Sequence, residues 1–198
     1  MSRLALPLVL LSLCVCAPLA AGNQTTPSSP NPPRGVPVTT VVASSGATPT
    51  TTLVPYGEPG GLTLALPADW PFGWIDERGE STFVAVAPDD SGGVQLNHRH
   101  YEQAPSVPTF LEQQHRVLQS LADLDGAVLR SQVRLPIGPA ERFLFSRRRD
   151  GGETVEMYVF SRGTELYQLR LRAGRTERHR LAPVFSAVLL SLAWDRPP

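Results

Sequence analysis

Hydrophobic side chains change pattern several times along the chain. Residues 4–15 form an apolar run broken only by Ser12, and residues 23–60 then show no period at all. Residues 61–66 alternate, with Leu62, Leu64 and Leu66 on one face. That predicts a strand closed by the turn Pro67-Ala68-Asp69-Trp70-Pro71. Residues 82–87 and 94–101 are β-rich on either side of Pro88-Asp89-Asp90-Ser91-Gly92-Gly93, the pattern of a hairpin with a longer loop. From Val107 the period becomes helical. Val107, Phe110, Leu111, His115, Leu118, Leu121 and Ala122 share one face of a helix over residues 107–124, with Pro108 in its first turn and Gly126 at its end.

Strand-like runs follow at residues 127–135, 140–147, 154–161 and 165–172. Tight turns at Pro136-Ile137-Gly138-Pro139, Asp150-Gly151-Gly152 and Arg162-Gly163 separate them, which makes them antiparallel neighbours. After Gly174 the period is helical again, with Leu181, Val184, Phe185, Val188, Leu189 and Leu192 in one stripe. Pro183 should start that helix or kink it. The pattern predicts an α+β domain, an antiparallel sheet of about six to seven strands covered by two helices.

Composition changes the reading of the first third. Met1-Ser2-Arg3, the apolar run and the small residues Ala17-Pro18-Leu19-Ala20-Ala21-Gly22 match a secretory signal over residues 1–22, cleaved before Asn23. The run is too short to span a membrane, which takes roughly 20 apolar residues. The alternative is a lipid anchor on Cys14 or Cys16, the only cysteines. Leu13 and Val15 precede them, where lipid attachment wants a small residue. Either way the exported domain has no disulfide and must rely on its core. Residues 23–59, rich in Thr, Pro and Ser, are too polar to offset ordering entropy and read as a disordered linker stiffened by proline. Residues 60–198 suffice for one core and not two.

One stretch carries a resemblance. Gly61-Leu62-Thr63-Leu64-Ala65-Leu66-Pro67-Ala68-Asp69-Trp70 is similar to the opening of PsbP-like domains, in which a glycine and alternating apolar positions lead to Pro-x-x-Trp. That superfamily takes in the DcrB-type, LpqN-type and Mog-type proteins. The order of elements is similar too, and Leu190-Ser191-Leu192 resembles the end of the family's last helix. Residues 60–194 are covered. Leu62 stands where the family usually has an aromatic residue, and the cluster Trp70-Pro71-Phe72-Gly73-Trp74 is additional. The resemblance implies an exported accessory or binding module with no common catalytic centre, hence no cofactor.

Candidate chemistry is sparse. On a strand, His98 and His100 of His98-Arg99-His100-Tyr101-Glu102 point the same way, with Glu102 as a further donor, and could hold zinc or a similar ion. Val94 and Leu96 lie on the same face, so the histidines could equally mark its hydrated end. His115 falls on the apolar helix face and reads as a core residue. No nucleophile elbow or phosphate-cradling glycine loop is present, and Gly92-Gly93 and Gly151-Gly152 read as hairpin turns.

Charge is balanced overall, but acids crowd the first half of the domain and arginines the second. All 18 basic residues are arginine. A basic face containing Arg147, Arg148 and Arg149 could bind a partner, and Trp70 with Trp74 could form an aromatic platform. An ordinary solvated face and a turn folded over the core are the plainer alternatives.

The sequence therefore predicts a non-enzymatic accessory module of the bacterial envelope, a monomer that is periplasmic, secreted or lipid-anchored. It binds an envelope protein or surface polymer, not nucleic acid, and meets a membrane only through an anchor. A metal-binding protein using His98 and His100, or a purely structural tethered domain, are the alternatives.

Overall fold

The computed structural model describes residues 38–40, 53–57, 61–77 and 80–195. The export segment, with Cys14 and Cys16, and most of the linker lie outside the described residues. In chain order the elements are β1 (Val38–Thr40), β2 (Leu53–Gly57), β3 (Leu62–Pro67), β4 (Phe72–Glu77), β5 (Glu80–Val86) and β6 (Gly92–His100). Then come α1 (Val107–Gln119), β7 (Leu124–Leu135), β8 (Gly138–Arg147), β9 (Glu153–Arg162), β10 (Glu165–Gly174), α2 (Arg178–Leu190) and β11 (Ala193–Trp194).

The larger sheet runs β1-β7-β8-β9-β10-β6-β5-β4. Its seven strands from β7 to β4 are antiparallel, and the short β1 joins β7 in parallel. A small sheet, β11-β3-β2, stands apart from it. This is the expected α+β sandwich.

Alternation along β9 sorts the core into two halves. Val155, Met157 and Val159 pack with Phe143, Phe145 and Leu166 beneath Leu111 and Leu118 of α1. Tyr158 and Phe160 point the other way, where Leu62, Leu64 and Leu66 of β3 and Leu181, Phe185, Val188 and Leu189 of α2 cover Phe83, Leu96, Tyr167 and Leu169. The helices therefore lie on opposite faces of the sheet. Each large apolar side chain buried this way stabilises the fold by about 1.5–3 kcal/mol.

Several boundaries differ from expectation, each for a physical reason. Helix α1 ends at Gln119 because Ser120 turns back and donates to the Val117 carbonyl at 2.8 Å. Gly126 does not end the helix. It sits inside β7 with φ +86°, where the register slips between Asp125 and Leu129. Pro183 lies within α2, the interior place that the sequence allowed besides its start. Gly92 and Gly93 begin β6 instead of forming the turn. A side chain at Gly92 would meet the Arg172 carbonyl at 2.6 Å and also Leu181, so glycine lets α2 close on the sheet. Leu53–Gly57, inside the stretch read as linker, pairs with β3, and Phe72–Glu77 is a strand in a stretch where none is expected.

Candidate functional site

Pairing of β6 with β10 places His98 opposite Tyr167 and His100 opposite Glu165. Alternation carries Val94 and Leu96 into the core on the same face as His98, which is buried. Its ring stacks on Tyr167 with centroids 4.7 Å apart and planes at 13°. Nε2 of His98 lies 2.5 Å from Oε2 of Glu165, and Nδ1 of His100 lies 2.6 Å from Oε1. Glu165 is the carboxylate that sequence reasoning missed, because only the strand register brings it near. Glu102, the expected donor, is exposed beyond the end of β6. Burial pushes the Glu165 carboxyl up, but hydrogen bonds from His100 and His98 and their charge outweigh it and hold it below the ordinary range.

Chemically this is a carboxylate holding two imidazoles by different oxygens. Zinc would need bonds of about 2.0–2.1 Å to nitrogen and 2.0–2.2 Å to oxygen, and it fits between a nitrogen and an oxygen this close only after they spread apart. Among the described residues, no group of three or more His, Cys, Asp or Glu is arranged to hold a metal ion.

The arginines that crowd the second half of the sequence meet the acids of the first half in space. Arg147 binds Asp123 at 2.7 Å and Arg180 binds Asp89 at 2.6 Å, and within the first half Arg99 binds Glu80 at 2.6 Å. Arg175 pairs with Asp125, and Arg130 with Glu112 and Glu141. Arg148 is exposed and donates to the Leu124 carbonyl at 3.1 Å, while Arg149 opens a short 3-10 turn. The hydrogen bond from Arg147 holds the Asp123 carboxyl below its ordinary range. A sequence-level division of charge has become a set of ion pairs.

The two tryptophans part company. Trp70 is buried in the core, only 6 % exposed. Trp74 lies on β4 and is 39 % exposed, between Phe72 at 50 % and Ile75 at 51 %. Phe72 and Trp74 stand over the buried Phe83 at 5.7 and 5.0 Å between ring centroids, and Tyr56 of β2 meets Phe72 edge-on at 4.5 Å. The core thus runs out to the surface through Phe72 and Trp74 on the last strand of the sheet, while Ile75 is exposed on its other face.

No protein-family model matches the chain, and no curated protein does. Solved structures do. The solution structure of cyanobacterial PsbP, CyanoP from Synechocystis sp. PCC 6803, aligns over 76 % of this chain and 97 % of its own with TM-score 0.56 and 12 % identity. The domain has the PsbP-like fold. LpqN of Mycobacterium tuberculosis, a protein involved in cell envelope biogenesis, aligns over 73 % of this chain and 91 % of its own, with TM-score 0.49 and 19 % identity. Among the described residues of this PsbP-like domain, no helix is long and apolar enough to cross a membrane.

Proposed function

We propose that this PsbP-like protein is an exported, non-enzymatic accessory module of the bacterial cell envelope that binds a protein partner through β4. The observation that carries the reading is the exposure of Phe72 and Trp74 side by side on one face of β4, with Ile75 exposed on the other. Contiguous apolar side chains of this size at a surface mark interaction sites, and aromatic residues are enriched in the cores of interfaces. The competing basic surface is supported less well, since Arg147 is paired with Asp123, Arg175 with Asp125 and Arg180 with Asp89. Residues 1–22 support export, and the resemblance to a superfamily of accessory proteins without a common catalytic centre supports a binding role.

Affinity purification from the envelope with the full chain tests this. A Phe72→Ser/Trp74→Ser variant of native circular dichroism should retain at least about tenfold less partner than the unchanged chain, as expected for central aromatic anchors. Neutralising Arg147, Arg148 and Arg149 to Gln should leave capture nearly intact. The reverse pattern would assign binding to the arginines, and equal recovery from all three chains would leave a purely structural role.

A further inference from the structure

The backbone of β4 carries information beyond its side chains. The N–H of Val86 on β5 donates to the Pro71 carbonyl at 3.1 Å. In an antiparallel ladder, hydrogen-bonded pairs alternate with pairs that are not bonded to each other. The bonds to β5 therefore belong to Gly73, Ile75 and Glu77, paired with Val84, Thr82 and Glu80. The N–H and C=O groups of Phe72, Trp74 and Asp76 face away from β5. Among the described residues, β5 is the one strand beside β4. An edge of this kind is a template for another strand, and proteins usually blunt it with proline, a bulge or charge. Phe72 to Ile75 carries none of these. Its side chains instead offer apolar contact on both faces, Phe72 and Trp74 on one and Ile75 on the other.

Charge decides the occupant. Asp69 is exposed in the turn before the strand, and Asp76 and Glu77 are its last positions. Arg78 follows in sequence, so the flanks carry three acids against one base, and Glu80 is already bound by Arg99. A second copy pairing antiparallel through the outward groups, Trp74 opposite Trp74, would set Phe72 and Pro71 of one chain opposite Asp76 and Glu77 of the other and so offer those acids no base. The chain's own residues 41–52 include no charged residue to match these acids.

We infer that β4 receives an extended segment of another protein, apolar at its centre and basic at both ends, which adds to the sheet as a further strand. The inference rests on β4 being the binding surface. Backbone hydrogen bonds to Phe72, Trp74 and Asp76 supply affinity, the apolar side chains on either face fix the register, and the acids select the partner.

NMR titration of the full chain with two synthetic peptides of equal length tests it. Both alternate valine and threonine, one ending in paired arginines and the other in paired glutamates. The arginine-ended peptide should shift the amides of Phe72, Trp74 and Asp76 and slow their hydrogen exchange. The glutamate-ended peptide should bind about tenfold more weakly or less, and salt should erase the difference. Equal binding of both peptides, or responses centred away from β4, overturns the inference. Protection of those three amides before any peptide is added also overturns it, and light scattering then tells a second copy from the chain's own segment. If envelope capture depends on Phe72 and Trp74 while the arginine-ended peptide leaves the amides unprotected, strand addition is wrong and the surface reading stands.

Discussion

The hydroxyl of Ser191 accepts a hydrogen bond from the backbone N–H of Ala65 at 2.7 Å and donates to the Val188 carbonyl at 2.7 Å. One side chain thus ties the end of α2 to the middle of β3. Removing it leaves a part-buried donor without a partner, which costs about 1–3 kcal/mol. Ser191→Ala should lower the urea midpoint without changing the slope of the transition, while the neighbouring exposed Leu190→Gln should change it little.

Gly92 faces the Arg172 carbonyl and Leu181 of α2 so closely that even a methyl group forces movement. Gly92→Ala is expected to destabilise the domain by about 1–3 kcal/mol through overpacking. Thermal unfolding should show the loss clearly. An equivalent change at Gly73, which has open space around it, should not.

The Glu165 carboxyl is held below its ordinary range in the folded chain. A depressed carboxylate stabilises the fold above the unfolded pKa, and that contribution disappears as pH falls through the folded value. Stability should therefore decline on acidification through and below the usual carboxylate range. Glu165→Gln should flatten that part of the profile and lower stability at neutral pH, as measured by unfolding at a series of pH values. Zinc titration of the unchanged chain should show no stoichiometric binding; a stoichiometric site lost in His98→Ala/His100→Ala would restore the metal reading.

His115 projects from α1 toward Phe143, with ring centroids 6.0 Å apart. Its Nε2 is buried and has no hydrogen-bond partner among the described residues. Replacing the imidazole by an apolar group of similar size removes that unmet demand. His115→Leu should range from neutral to about 1 kcal/mol more stable, and calorimetry would show it.

Much of the architecture was legible because periodicity is a direct record of burial. The stripe of Leu181, Phe185, Val188 and Leu189 and the alternation of Val155, Met157 and Val159 are the positions that pack. Phe72–Glu77 escaped because an edge strand need not alternate apolar with polar, and Pro71 and Gly73 look like turn residues. Leu53–Gly57 escaped because its composition matches the linker, and its pairing with β3 is a long-range event. The histidine pair was visible, yet Glu165 was not, since 67 residues separate it from His98. The pairing of charges was hidden for the same reason. Arg147 and Asp123 are distant in sequence and bonded in space.

Position-resolved photocrosslinking in intact cells tests the central claim most directly. A photoreactive side chain at Ile75, exposed on β4, is compared with one at Arg148, exposed on the arginine-rich loop. The prediction is a discrete adduct with another polypeptide from position 75, abolished by Phe72→Ser/Trp74→Ser, and none from position 148. An adduct from position 148 alone, or from position 75 unchanged by the double substitution, would contradict it.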